Sequence, residues 1–143
     1  MTFVPHVLVV PAGSTIDFGN LDPFRHHVYS FSPARKFELK LFGKGQTRPV
    51  RFDKVGIVSV GCNIHDSMQA FIMVVGTQFG AKSSASGRLT LRDVPGGPRD
   101  LQIWHPLLRA PGNRITVKVD ASRERSIPVK LKLRSAAPAM RDY

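Results

Sequence analysis

Short apolar-alternating runs, each ended by a turn within about ten residues, constrain this chain more than any other feature. Residues 3–10, 15–18, 24–31, 37–42, 49–53, 54–60 and 69–75 all read as β-strands, rich in Val, Ile and Phe. The 12 glycines and 11 prolines lie largely between the runs, where chain reversals need them. Pro5 near the start of the first run suits an edge strand, because proline cannot donate to a ladder. Gly19-Asn20-Leu21-Asp22-Pro23 is a turn of Asx type. No window forms a long amphipathic helix, and no crossover helix separates the strands. About seven strands without a helix predict an all-β fold, a Greek-key β-sandwich or barrel.

The texture changes at Gly76. Residues 80–87 are small and polar, as in a linker or wide loop. Alternation returns at residues 88–91, 100–104, 114–119 and 127–133, with turns at Pro95-Gly96-Gly97-Pro98 and Ala110-Pro111-Gly112-Asn113. The sequence therefore predicts a first unit over residues 1–76 and a smaller β-sandwich-like unit of about four strands over 77–135. That second unit is small for independent stability and is expected to pack on the first. Residues 136–143 read as a flexible tail.

The formal charge is +11, from 21 Lys and Arg against 10 Asp and Glu. A basic surface attracts acidic partners, anionic membranes or nucleic acid. The cations are dispersed and form no nucleic-acid motif, which leaves an acidic protein partner or simple solvation as the expected role. No apolar stretch approaches the roughly 18 residues that a membrane span needs. A single cysteine excludes an internal disulfide and leaves a free thiol unless a metal holds it. No signal peptide is evident, and composition does not fix a compartment.

That cysteine anchors the chemistry. Cys62, His65 and Met68 lie three residues apart in the loop between two predicted strands. Thiolate, imidazole and thioether are soft donors that suit copper, and two His with Cys and a weak Met form the blue-copper set. The second histidine is expected upstream, at His26 or His27, of which only one can face the interior of a strand. Zinc fits less well, since structural zinc prefers more thiolates and Met binds it poorly. A cysteine hydrolase would need a base, an orienting group and an environment that lowers the thiol pKa, and the sequence offers no helix for it. Gln69 is a rival axial ligand. Asp66 beside His65 is either a tuning group or a solvated loop carboxylate. His6 and His105 read as structural, and Trp104-His105-Pro106 reads as a buried Trp beside a solvated His, with a partner surface as the alternative.

The run Cys62-x-x-His65-x-x-Met68 after a β-strand, with a histidine on an earlier strand, resembles the cupredoxin family. Its spacing is similar to the short ligand loop of amicyanins. His26-His27-Val28 resembles the His-Asn-Val triplet that carries the first ligand in plastocyanins, pseudoazurins and amicyanins. On that match the ligands are His26, Cys62, His65 and Met68, and His27 replaces an Asn that in the family helps to lock the cysteine loop. Residues 26–33 and 61–66 resemble bacterial plastocyanin-like proteins. Residues 77–134 resemble, less specifically, the transthyretin-like β-sandwich of carboxypeptidase-regulatory domains.

The resemblance implies one type 1 copper per chain, export to the periplasm, and one-electron transfer between redox partners by a non-enzyme. Copper delivery without a redox cycle is the alternative. In a third reading the basic second unit docks on an acidic partner. A copper oxidase or nitrite reductase would need further histidine-rich sites. Backbone N–H groups near Asn63 and Asn20 are candidate donors to the sulfur. Ile64, Phe71 and Pro23 are candidates for an apolar patch around His65, with core packing as the expected role.

Overall fold

The computed structural model describes residues 1–123 and 126–136. The chain divides into two compact units, Met1–Leu91 and the part from Arg92 onward. Residues 77–91, grouped by sequence with the second unit, thus cluster with the first. Except for Ala136, the expected tail lies outside the described residues.

Unit 1 holds β1 (Val7–Pro11), β2 (Ser14–Gly19), β3 (His26–Ser32), β4 (Arg35–Phe42), β5 (Thr47–Phe52), β6 (Gly56–Cys62) and β7 (Gln69–Val75). All seven predicted runs contain a strand. The first begins only at Val7, and β1 does lie at a sheet edge. Five strands form one sheet in the order β1-β7-β6-β3-β4, and β2 pairs with β5 in a second. β1 runs parallel to β7, while the other pairs are antiparallel.

The core lies between the sheets because each strand turns one set of alternate residues inward. Val28, Val58, Val60, Ile72 and Val74 come from the larger sheet, and Val50 and Phe52 from the smaller. Burying each such side chain contributes roughly 1.5–3 kcal/mol. Phe3, Leu8, Ile16, Phe18 and Phe37 close the periphery.

One irregularity matters for the site. His26 pairs with Phe42 and Val28 with Leu39, so three steps on β4 face two on β3. This bulge in β4 keeps Leu39 and Phe42 on the inner side despite their odd spacing.

Among the described residues beyond residue 76 there are two strands, where the sequence predicts about four. β8 (Pro98–Trp104) and β9 (Arg114–Asp120) form an antiparallel ribbon, and a single 3-10 turn spans Pro111–Asn113. Residues 88–91 and 127–133 form no strand. The second of these alternates cleanly, but alternation marks an amphipathic face and does not supply a hydrogen-bonding neighbour. Its end bonds to the loop after β8, through one bridge between Leu108 and Leu133 and the bonds Arg109 N–H to Lys132 O and Arg134 N–H to Leu107 O.

Candidate metal centre

β3 and β6 are neighbours, and Val28 pairs with Cys62. His26 lies two residues before Val28, so its side chain shares the inner face with Cys62. Both are buried. The loop after Cys62 brings His65 back to the same point. Nδ1 of His26 lies 3.6 Å from Cys62 Sγ, and Nδ1 of His65 lies 3.9 Å from it. One donor atom from each of the three residues falls within 4.8 Å of the others.

The donor set can be tested against a metal. An ion about 2.0–2.3 Å from each donor in a trigonal plane requires donors about 3.7 Å apart. The two distances to the sulfur bracket that value. One thiolate and two imidazoles in a plane are the equatorial set of a blue-copper centre, so the residues fit copper. Unit 1 is thus a two-sheet β-sandwich that carries a copper-type donor set around the start of the loop between β6 and β7.

His27 turns outward, and its Nε2 lies 2.8 Å from Glu38 Oε1 on β4. The structure thus brings His26, and not His27, to the cysteine. His27 makes no side-chain bond to the cysteine loop. Its main chain supports the loop instead: its carbonyl accepts the Asn63 N–H at 2.9 Å. Within the loop, the Met68 N–H donates to the His65 carbonyl. Met68 is buried and lines, with Cys62, an open groove of about 600 Å³ that also reaches Tyr29, Phe31, Gly61 and Asp66.

Gln69 faces outward, where its amide donates to Ser59 Oγ, so it is not positioned as an axial ligand. Asp66 is exposed. His6 Nδ1 meets the Gln69 carbonyl, and His105 Nδ1 accepts the Leu107 N–H, both in structural roles. Pro23 is exposed, Ile64 is half-exposed, and Phe71 is half-buried; none belongs to the buried core as expected.

The sulfur is prepared as an anion. Burial alone would raise the Cys62 pKa, but the backbone N–H groups of Ile64 and His27, with the rings of His26 and His65, outweigh it and lower it to about 6. The expected donor near Asn63 is thus Ile64, while the Asn20 N–H goes to the Gln46 carbonyl. Burial also opposes the charge on His26, but its contacts with Cys62 and Asp22 prevail and raise its pKa.

The contact with Asp22 was not evident in the sequence. His26 Nε2 lies 2.8 Å from Asp22 Oδ2. The Asx turn at Asn20 is the only sequence signal near it: the Asp22 N–H donates to Asn20 Oδ1.

No protein-family model and no curated protein matches the sequence. Among solved structures the chain is similar to a copper-containing nitrite reductase from Thermus scotoductus. The identity is 29%, over 52% of this chain and 20% of that one, with a TM-score of 0.49. It is also similar to a purple cupredoxin from Nitrosopumilus maritimus, at 23% identity over 50% of this chain and 79% of that one, TM-score 0.46. A reduced mutant of amicyanin gives 22% identity over 52% and 74% of the two chains, TM-score 0.48. The chain thus spans only a small part of the reductase's length.

Proposed function

We propose that this chain carries single electrons between partner proteins at a type 1 copper site of His26, Cys62, His65 and, axially, Met68. The carrying observation is the cluster itself, a thiol and two imidazoles within 4.8 Å of one another on packed strands. Bound copper supplies the one-electron chemistry. Cys62 offers a soft thiolate that suits Cu(I), and the two imidazoles satisfy Cu(II) as well. Met68, buried beside the same groove as Cys62, is the weak axial donor. Because His26 and Cys62 ride on adjacent strands, their positions change little when the charge at the site changes.

His65 is half-exposed and offers the way out for the electron. The loops that carry the site also expose Leu21 at 86%, Phe24 at 56% and Ile64 at 50%. These apolar side chains are suited to a transient partner contact. The net charge of +11 favours an acidic partner through long-range attraction. We read the chain as a carrier and not an enzyme, because His6, His27 and His105 are engaged elsewhere and do not build a second centre. The periplasm is the proposed location. No described helix is long and apolar enough to cross a membrane, which says nothing about β-barrels.

Titration with copper(II) tests this reading. An intense visible charge-transfer band is expected at one copper per chain, and Cys62→Ser loses it. A colourless protein that takes up no copper overturns the reading. Copper delivery uses the same donors, and reversible one-electron cycling with a small redox mediator separates the two.

A further inference from the structure

We propose that Asp22 is the positioning residue of the copper centre, its carboxylate fixing the His26 ring and favouring Cu(II) over Cu(I). This rests on the copper reading above. The geometry is specific: Nε2 of His26 meets Asp22 at 2.8 Å, while Nδ1, the other ring nitrogen, faces Cys62 at 3.6 Å. An imidazole that binds a metal through one nitrogen donates the N–H of the other, and the acceptor sets ring orientation and ligand basicity.

Asp22 is itself held in place. Its N–H donates to Asn20 Oδ1 at 2.9 Å. Asn20 is buried, and its Nδ2 donates to the Phe24 and Phe42 carbonyls at 2.7 and 3.0 Å. Its own N–H and carbonyl bond to Gln46 and Gly45. A chain of contacts therefore runs from a buried amide through Asp22 to the ligand. A carboxylate at this place differs from a neutral acceptor because it adds negative charge next to the centre. That charge stabilises the more positive oxidation state. With 37% of its side chain exposed, Asp22 is partly screened, so the effect is moderate.

The test compares wild type with Asp22→Asn and Asp22→Ala. Asparagine keeps the volume and the main-chain bond to Asn20 while removing the charge. Both variants are expected to take up copper and keep the visible band. Affinity for Cu(II) relative to Cu(I) falls about tenfold, which raises the reduction potential by about 59 mV for one electron. In the metal-free protein, proton NMR is expected to show a slowly exchanging His26 Nε2–H in wild type and a fast one in Asp22→Ala. A purely structural role would move stability but not the potential of Asp22→Asn. Unchanged potentials, or an Nε2–H indifferent to Asp22, overturn the proposal. A wild type that binds no copper overturns the copper reading and the potential shift together, while the Nε2–H comparison still decides whether Asp22 places the ring. If Asp22→Ala does not fold, the reduction potential of Asp22→Asn decides, because asparagine removes the charge while keeping an acceptor for the ring.

Discussion

On β3 consecutive side chains face opposite ways, so His26 turns inward to Cys62 and His27 turns outward to Glu38. The support that His27 gives the sulfur comes from its backbone N–H, which any non-proline residue supplies. His27→Ala is therefore expected to keep the copper band, at a cost below about 1 kcal/mol for the partly exposed pair with Glu38. His26→Ala is expected to lose the band. Visible spectra of the two copper-treated variants check this, and the reverse pattern would move the ligand to His27. The ligand types and their three-residue spacing were legible in the sequence. Asp22 was not, because its reach to His26 depends on how the Asn20 turn folds back.

At the scale of the elements, the sandwich places the site through pairing and one bulge. Val28 opposite Cys62 sets the two strands in register. The extra residue in β4 brings Phe42 opposite His26 with both facing inward. The turn into β6 shows how tightly the sheet is fitted. Gly56 has φ +149, and a Cβ there would lie 2.8 Å from the Ala34 Cβ. Gly56→Ala meets both a disfavoured backbone and a clash, and a destabilisation of about 1–3 kcal/mol is expected. A lower urea midpoint with an unchanged slope would report it; an unchanged midpoint would show that the turn relaxes freely. Strand positions followed from alternation and turn residues. The bulge did not, since residues 37–42 read as a plain alternating run until their partner strand is known.

The whole molecule separates into two units, and His26, Cys62, His65 and Met68 all belong to the first. Both sheets of the sandwich close within residues 1–75. A chain ending at Leu91 is therefore expected to fold, bind one copper and give the same visible spectrum as the full chain. Loss of the spectrum on truncation would mean that residues beyond Leu91 support the site. The alternation at residues 127–133 misled at this scale: Ile127, Val129 and Leu131 are half-buried between exposed neighbours, but Leu133 is exposed and the run forms no strand among the described residues.

The sequence by itself determined the all-β class, nearly every strand of the first unit, and a copper-type donor set around Cys62. Those follow from local rules: side-chain alternation, turn chemistry, and the softness of sulfur and imidazole. Only the tertiary structure decided that His26 faces the thiol, that Asp22 holds its far nitrogen, and that Ile64 and His27 donate to the sulfur. Each of those contacts joins segments whose distance in space is set by strand pairing and loop closure, which no local pattern encodes.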